Sequence, residues 1–484
     1  MLIRWDALGF ILGQFLLAIA ATMAFPIAWG ALGGHGGVRP LVFSAFLTAA
    51  VGGSLRAALP RPERELRQRE ALMFVILAWF AAAAFGSLPF LWSGYFTGVT
   101  DAFFEAASGF TTTGATILTH VEVLPQPIQL WRCFSHWLGG MGIVLLGIAI
   151  LPLVGHGGMQ LYRAEFSGAK SEKLKPRIAE TAIALWKLYV AFTAAEVVAL
   201  RVAGLTWFEA LCHSFSTLGT GGYSTRTASI AGFHSPAVEW IVIVFMLVAG
   251  ISFVQHYRLF VERRAGGFFT DFEVRAYLLL ALAATALVVP TLVWHNGYEP
   301  ERAIRAAAFQ VSSILTTTGF ASEDFELWYP LAHVILIGLM FVGGCTGSTA
   351  GGIKIARVVL LTRVVGREFR RMVERHGVFT VRLGGNVVPE GTVQSLLSLI
   401  YLSLVVLAVG SLLLAAQGVD LLTSIVAVVA CMFNIGPGFG SVGPAESYAH
   451  LPDLSKWVLG VCMIAGRLEF YTLLVVLTPD FWKK

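Results

Sequence analysis

A short turn rich in threonine and glycine occurs four times in this chain, with copies roughly one hundred residues apart. The copies read TTTGA at 111–115, GTGGY at 219–223, TTTGF at 316–320 and IGPGF at 435–439. Each copy follows a short apolar stretch and precedes a longer one. An internal repeat of this kind predicts that one polypeptide folds into four similar units.

Composition places these units in a membrane. The chain has 484 residues, of which 56% are hydrophobic and 13% charged. A soluble domain carries about 25% charged residues, so too few charges are present here to cover a water-facing surface. Ten apolar segments are long enough to cross a bilayer. They lie at 7–28, 41–59, 71–92, 127–155, 181–203, 236–257, 274–294, 330–360, 392–416 and 454–478.

Four shorter apolar stretches precede the turns, at 100–110, 207–218, 303–315 and 421–433. They are too short to span a bilayer and are predicted to be re-entrant helices, which are tolerated at membrane depth when protein or a wet cavity surrounds them. The predicted fold class is therefore an all-α integral membrane protein. Two N-terminal helices precede four pseudo-repeated units of helix, pore helix, filter turn and helix around one pore.

The predicted domain organisation follows this repeat. A two-helix N-terminal domain occupies 1–69, and pore repeats occupy 70–160, 175–265, 270–380 and 388–484. The third repeat contains an intramembrane loop. The same order of elements builds potassium channels, where four subunits normally supply it.

Basic residues predict the orientation of the chain. Most of the 34 Lys and Arg residues lie in alternate connections, and both ends of the chain fall on that basic side. By the positive-inside rule both termini are cytoplasmic and the four turns face the outside. The net charge of +5 then reflects topology and lipid headgroup contact, with no need for nucleic acid. The five cysteines show no metal-ligand or disulfide spacing.

The turns are suited to coordinating a dehydrated cation. Filters of this kind replace the water of the ion with backbone carbonyl oxygens, one strand from each of four units. Glycine reaches the backbone angles that aim successive carbonyls in one direction, and the C-terminal end of a preceding helix favours a cation. The glycine before the aromatic position is taken as the reference of each turn. The candidate potassium-binding filter residues are then Thr111, Thr112, Thr113 and Gly114; Gly219, Thr220, Gly221 and Gly222; Thr316, Thr317, Thr318 and Gly319; and Ile435, Gly436, Pro437 and Gly438.

Acidic residues are frequent in the outer connections. They predict an entrance that concentrates cations, with ordinary solvated loop charge as the alternative. Asp101 and Glu209 each lie thirteen residues before the reference glycine of their turn. This shared position predicts that both carboxylates cap the start of a pore helix.

The segment GGCTGSTAGGIK at 343–354 interrupts the second span of the third repeat. So many glycines hold a helix poorly, and broken helices in membranes line cavities. A gating loop below the filter is predicted, and close glycine packing between helices is the alternative. The candidate gate residues are Gly343, Gly344, Gly347, Gly351, Gly352, Lys354 and Arg467.

Arg467 lies in the middle of the last span. An intramembrane arginine is costly and usually faces the protein interior or a water path. One hypothesis places Arg467 at the pore, as a barrier to cations below the filter. The alternative is a buried ion pair with a carboxylate such as Glu105.

These motifs resemble the Trk/Ktr/HKT superfamily of potassium transporters, and within it the TrkH/TrkG type. SGFTTTGAT, STLGTGGYST, ILTTTGFAS and NIGPGFGSVGP resemble the four filter segments of that family. GGCTGSTAGGIK resembles its gating loop, and GRLEFYTLLVVLTPDFW resembles its C-terminal signature with a pore-facing arginine. The match covers essentially the whole chain, and the two extra N-terminal helices favour the TrkH type.

The resemblance implies potassium uptake across the bacterial inner membrane by a homodimer with one pore in each protomer. It also implies gating by a cytosolic ring of nucleotide-binding, RCK-type (TrkA-like) subunits. No cofactor is expected in this chain, so any nucleotide is expected on that partner. Sodium-permeating relatives carry serine at the first filter glycine, so Gly114 favours potassium.

Two other functional classes fit the sequence less well. An intramembrane hydrolase would need a polar catalytic cluster, and the fourfold repeat disfavours it, so no enzymatic activity is predicted. A proton- or sodium-coupled secondary transporter, such as a symporter, would need titratable groups within the spans. The sequence offers Glu196 and Glu469, neither of which is expected near a filter turn.

Overall fold

A computed structural model describes residues 3–64, 66–149 and 178–483. The predicted repeat boundaries at 160 and 175 and the end of the span predicted to reach 155 lie outside these residues. The α-helices within them are α1 (Trp5–Thr22), α2 (Ala24–Gly33), α3 (Val38–Ala58), α4 (Gln68–Gly86), α5 (Leu88–Ser93), α6 (Val99–Phe110), α7 (Gln126–Ala149), α8 (Ile178–Val202), α9 (Trp207–Gly219), α10 (Pro236–Ala249), α11 (Phe253–Phe260), α12 (Ala265–Thr270), α13 (Phe272–Trp294), α14 (Pro300–Leu315), α15 (Pro330–Met340), α16 (Ile355–Val373), α17 (Glu390–Ala415), α18 (Leu421–Met432), α19 (Asp453–Arg467), α20 (Tyr471–Val476) and α21 (Pro479–Trp482).

Strands are almost absent from the described part of the chain. The one named pair is a hairpin, β1 (Arg382–Leu383) and β2 (Asn386–Val387), which pairs antiparallel with Arg382 opposite Val387. Single-turn helices occupy parts of the outer connections, at Val121–Val123, Ser229–Phe233, Phe325–Leu327, Gly440–Val442 and Tyr448–His450. The predicted all-α fold is therefore confirmed.

Within the described residues, six of the predicted spans are helical segments long and apolar enough to cross a membrane. They are Trp5–Gly33, Val38–Ala58, Gln68–Ser93, Ala182–Val202, Phe272–Trp294 and Glu390–Ala415. Many of their large apolar side chains are exposed, as expected for faces in contact with lipid. The chain is thus a multi-pass membrane protein.

Within the described residues, the second helix is interrupted in three of the four repeats. In the first repeat α7 is continuous as far as the structure describes it, whereas α10 and α11 meet at 99° around Gly250. Between α15 and α16 the third repeat leaves helical geometry, as the glycine-rich sequence predicted. The fourth is also interrupted, between α19 and α20, where Glu469 has a φ of 56°. Of these breaks, the sequence predicted only the one in the third repeat.

The four short apolar stretches are helices, as predicted: the pore helices α6, α9, α14 and α18. A capping box formed by Thr206 and Glu209 begins α9, and the Asp420 carboxylate caps α18 by accepting from Thr423 N at 3.0 Å. These caps satisfy backbone N–H groups that would otherwise be orphaned. Asp101 lies in the first turn of α6, as predicted, but no described backbone N–H donates to its carboxylate, which pairs with Lys456 Nζ at 2.7 Å.

Candidate functional site

The four pore helices converge on a ring of four glycines. Gly114, Gly222, Gly319 and Gly436 have positive φ angles of 82°, 83°, 80° and 98°. A Cβ atom added to each glycine would run into a backbone carbonyl oxygen of the next segment. These oxygens belong to Gly221 for Gly114, Thr318 for Gly222, Ile435 for Gly319 and Thr113 for Gly436. The contacts pass through the repeats in order and close on the first.

Each segment also contains a second left-handed residue, two positions before its ring glycine. These residues are Thr112, Thr220, Thr317 and Asn434, with φ between 54° and 57°. A β-branched residue rarely adopts this region, so three threonines here are strained positions that the surrounding structure must hold. All four residues are buried. The repeated pattern of angles establishes the register of the four segments.

This register corrects the sequence alignment of the fourth turn. The sequence analysis made Gly438 equivalent to Gly114, because an aromatic residue follows Gly438 as it follows Gly222 and Gly319. In the structure Gly436 occupies that position, and Gly438 lies two residues beyond the ring. Ile435 and Gly436 therefore belong to the ring segment, and Pro437 and Gly438 follow it.

Sequence reasoning missed Phe433 and Asn434, the residues that complete the fourth segment. A signal for them exists in the spacing from the N-cap of the pore helix to its glycine, which is the same in the first, second and fourth repeats, while the third pore helix is longer. Gly98 to Gly114, Thr206 to Gly222 and Asp420 to Gly436 are all sixteen residues apart. Asparagine also tolerates the left-handed region better than most residues.

Buried polar contacts support the first two segments from behind. Glu105 of α6 pairs with Arg132 over 2.5 Å and accepts from Ile117 N at 3.0 Å. The guanidinium carbon of Arg132 lies 3.5 Å from the ring centroid of Tyr223, which follows the second ring glycine. Because buried charges are stable only when paired and hydrogen-bonded, this cluster fixes the first two repeats together.

The glycine-rich loop, residues 341–354, lies directly against the inner end of this ring. Gly351 N donates to Thr317 Oγ1 at 2.6 Å, and Gly352 N donates to Phe433 O at 3.1 Å. Thr349 Oγ1 donates to Leu218 O at 3.0 Å. The loop thus contacts the ends of three of the four pore helices or their turns.

The other side of the loop contacts the break between α10 and α11 in the second repeat. Cys345 N donates to Gly250 O at 2.8 Å, and Phe253 N donates to Gly347 O at 3.1 Å. These bonds satisfy backbone groups that the bend leaves without helical partners, as irregular backbone at membrane depth requires. The predicted glycines Gly343 and Gly344 bond to Ile353 and Ile355, which closes the base of the loop.

Glu273 is an anchor that sequence reasoning missed. Its Oε1 accepts from Thr346 N at 2.7 Å and from Ala356 N at 3.2 Å, so one carboxylate holds both sides of the loop. Lys354 donates from Nζ to Ala350 O within the loop. No local sequence pattern marks Glu273, because it begins the preceding span.

Arg467, at the end of α19, is 3% exposed and donates from Nη1 to Thr349 O at 2.8 Å. Its Nη2 lies 3.4 Å from Gly139 O of the first repeat. The alternative ion pair with Glu105 is wrong, since Glu105 pairs with Arg132. Two residues after Arg467, Glu469 pairs with Arg357 of α16 at 2.8 Å.

Outside the ring lies a cavity of about 850 Å³, the vestibule. The four ring glycines line its floor, and its wall includes the carboxylates Asp420 and Glu446 together with Arg132 and Arg226. Many acidic residues of the outer connections are neutralised in the ion pairs Glu209–Arg226, Glu239–Arg305, Glu323–Arg302 and Asp101–Lys456. The vestibule therefore carries both signs of charge, which fits the alternative of ordinary loop charge better than an acidic entrance that concentrates cations.

Glu326 lies near Glu446 at the edge of this vestibule, and its Oε1 accepts from Gly440 N at 2.5 Å. Burial raises the pKa of the Glu326 carboxyl, and the neighbouring carboxylates of Glu446 and Asp324 raise it further. Among the described residues no group of three or more His, Cys, Asp or Glu side chains is arranged to hold a metal ion.

Comparison with known proteins places this arrangement in a family. The family model described as TrkH, cation transport protein, matches residues 41–484. The Trk system potassium uptake protein TrkH of Salmonella typhimurium is 38% identical over 484 residues, covering 99% of this chain and 100% of that relative. The TrkH protein of Halomonas elongata is 40% identical over 480 residues, covering 98% of each chain.

A solved structure shares the fold. The crystal structure of the potassium transporter TrkH from Vibrio parahaemolyticus superposes with a TM-score of 0.92 at 37% identity, covering 99% of this chain and 100% of that one. The family match extends across all four repeats and the loop beneath them, and its members are transport proteins rather than enzymes. The chain therefore belongs to the TrkH family of cation transport proteins.

Proposed function

We propose that this chain takes up potassium ions through a channel-like pore whose filter is the ring of four glycine segments. The ring itself carries the proposal: four backbone strands meet in cyclic order at the floor of a water-accessible vestibule. Carbonyl oxygens in such a ring can replace the hydration shell of a potassium ion. The relatives named above as potassium uptake proteins support potassium as the cargo.

The filter residues of this proposal are Thr111–Gly114, Gly219–Gly222, Thr316–Gly319 and Phe433–Gly436. The partly negative C-terminal ends of the pore helices favour a cation at the centre of the ring. Hydroxyl oxygens of the first three segments add ligands at its inner end. In the fourth segment Asn434 places an amide at this end, and its Nδ2 donates to Thr113 Oγ1 at 2.9 Å. The filter is thus chemically asymmetric.

Residues 341–354 act as the gate in this proposal, in a closed position. Gly351 and Gly352 donate to groups at the inner end of two filter segments, so the loop obstructs the path of an ion leaving the filter. Arg467 adds a positive charge to the same place through its bond to Thr349 O. Opening requires the loop to leave these partners.

The proposed cellular arrangement extends from the family resemblance. The chain lies in the bacterial inner membrane with both termini in the cytoplasm, as a homodimer, and a cytosolic nucleotide-binding ring of RCK type regulates it. The exposed arginines Arg370, Arg371 and Arg375 offer that partner a basic docking region beyond the gate. The names of the relatives describe a Trk system, which fits regulation by a further component.

A coupled transporter is the second candidate, and one buried carboxyl group favours it. Glu196 of α8 is fully buried, and neither of its oxygens has a hydrogen-bond partner among the described residues. It lies beside the Thr217 hydroxyl, in the last turn of the pore helix that leads to the second filter segment. Contrary to the sequence expectation, this titratable group is therefore close to a filter turn.

Flux measurements in liposomes test the proposal. The purified chain should carry potassium and rubidium down their gradients faster than sodium, with no accompanying proton movement. Equal rates for the three ions would refute a selective filter. Potassium movement that drives protons across the same membrane would replace the uncoupled pore with the second candidate.

A further inference from the structure

The four filter segments differ in how they are held from behind. In the first repeat, Thr116 Oγ1 donates to Glu105 Oε1 at 2.9 Å. In the second, Ser224 Oγ lies 2.9 Å from His213 Nε2. Both contacts join the residue two positions after the ring glycine to the pore-helix residue nine positions before it. The same two polar positions thus fasten each of these turns to its own pore helix.

The fourth repeat cannot make this contact. Ala427 and Gly438 occupy the two equivalent positions, and neither has a polar side chain. The third repeat uses a different bond near its turn, from Ser313 Oγ to Phe320 O at 2.6 Å. The fourth filter segment therefore needs support from outside its pore helix.

Tyr448 supplies that support from the outer connection. Its hydroxyl donates to Gly436 O, the carbonyl of the fourth ring glycine, at 2.7 Å. The side chain is 3% exposed, and its ring centroid lies 5.4 Å from that of Phe104 in the first pore helix. Tyr448 N also donates to Thr116 O at 2.9 Å. The residue is therefore fixed against the first repeat while it holds the filter of the fourth.

This bond makes one ring carbonyl different from the other three. No described residue donates a hydrogen bond to the carbonyl oxygen of Gly114, Gly222 or Gly319. Tyr223 offers the nearest parallel, but its hydroxyl lies 2.9 Å from Glu105 O and 3.2 Å from Ala115 O, both outside the ring. Among the residues that the structure describes, a side chain thus holds Gly436 O and none of the other three ring carbonyls.

We propose that Tyr448 is a positioning residue for ion discrimination: its hydroxyl fixes the orientation of the Gly436 carbonyl and thereby sets the geometry of the fourth side of the filter. The inference rests on the proposed function, since it assigns Tyr448 a role in the same pore. A carbonyl held at one orientation is preorganised for one ion size. A carbonyl released from its donor can reorient around a smaller ion and so admits sodium more readily.

The experiment compares Y448F with the native chain and with a matched control, Y471F. Both variants lose only a phenolic hydroxyl that donates to a backbone carbonyl, because Tyr471 donates to Ser395 O at 3.1 Å on an exposed surface. Potassium, rubidium and sodium fluxes are measured in liposomes. Since one neutral hydrogen bond is lost, the potassium-over-sodium ratio of Y448F should fall roughly three- to tenfold. The ratio of Y471F should equal that of the native chain.

A second measurement needs no transport. The melting temperature of each purified protein is recorded in potassium chloride and in sodium chloride at equal ionic strength. Y448F should lose part of the difference between the two salts, and Y448H, which keeps a ring and an N–H donor, should retain more of it. A purely structural role would lower both melting temperatures equally and leave the difference unchanged.

The outcomes separate this inference from the proposed function. A native chain without ion discrimination would refute the proposed function itself. A selective native chain whose ratio and salt difference are unchanged in Y448F would overturn the role of Tyr448 and leave the filter intact. An equal fall in Y471F would also overturn it, because the loss would then have no connection to the ring.

Discussion

The Arg467 guanidinium donates a hydrogen bond from Nη1 to the Thr349 carbonyl oxygen over 2.8 Å, which ties the last inner helix to the loop beneath the filter. The arginine is buried, and its Nε has no hydrogen-bond partner among the described residues. A buried guanidinium depends strongly on the acceptors it does have. The bond to Thr349 therefore stabilises the loop in its present position.

Replacing Arg467 by glutamine should favour the open gate. A hydrogen bond from a charged donor contributes about 1.5–3 kcal/mol, so its loss should shift the closed-to-open equilibrium by roughly one to two orders of magnitude. Potassium flux into liposomes measures the change. R61Q, at an exposed arginine between α3 and α4, serves as the control and should leave flux unchanged. A flux of R467Q at or below the native rate would count against the bond from Arg467 to Thr349 O as a contact that keeps the gate closed.

Deleting residues 345–350 should raise flux by removing the part of the loop that contacts Leu218 O and Gly250 O. The filter segments themselves are untouched, so the preference for potassium over sodium should persist. Single-channel or liposome recordings report both quantities. If the shortened chain carries potassium at the native rate, the loop only packs between the helices and is not a gate.

The register of the fourth segment predicts a contrast between two neighbouring glycines. Gly436 has φ +98°, and an added Cβ would lie 2.5 Å from Thr113 O, so G436A should strain the ring and impair potassium discrimination. At Gly438 the added Cβ would meet side-chain atoms of Val426 and Val442, at 2.9 and 3.1 Å. G438A should therefore have the milder effect on relative sodium and potassium flux. The reverse order would restore the alignment based on the aromatic residue.

The pair formed by Glu105 and Arg132 predicts a large loss of stability. Removing one partner of a buried ion pair costs about 3–5 kcal/mol, because the other charge is left uncompensated. E105Q should accordingly lower the unfolding temperature in detergent. E323Q breaks the pair with Arg302, whose side chain is 50% exposed, and should cost about 0–1 kcal/mol. Equal effects of the two variants would contradict the role assigned to the buried pair.

The uncoupled pore makes a prediction at Glu196. E196Q should carry potassium at the native rate, with the same dependence on external pH, because no proton moves with the ion. E63Q, at an exposed position near the second span, provides the control. Proton uptake that accompanies potassium in the native chain and disappears in E196Q would establish coupling and identify the buried carboxyl as its site.

The structural features that depend on residues close together in the chain were predicted correctly from the sequence. The spans follow from runs of apolar residues, the pore helices from their length, and the break between α15 and α16 from its glycines. The ring glycines Gly114, Gly222 and Gly319 were found because a left-handed backbone at a crowded site excludes other residues. The prediction failed at Gly436, because the fourth turn was aligned by the aromatic residue that follows Gly438. The length of the pore helix determines instead which glycine joins the ring.

The sequence alone determined a fourfold membrane protein with glycine turns, because apolar length, repeat period and glycine's backbone freedom are properties of short segments. Only the tertiary structure decided that Arg467 meets Thr349, that Glu273 holds both sides of the loop and that Tyr448 reaches Gly436. Each of these bonds joins residues distant in the chain. Their partners are selected by how the helices pack, which no local pattern of residues records.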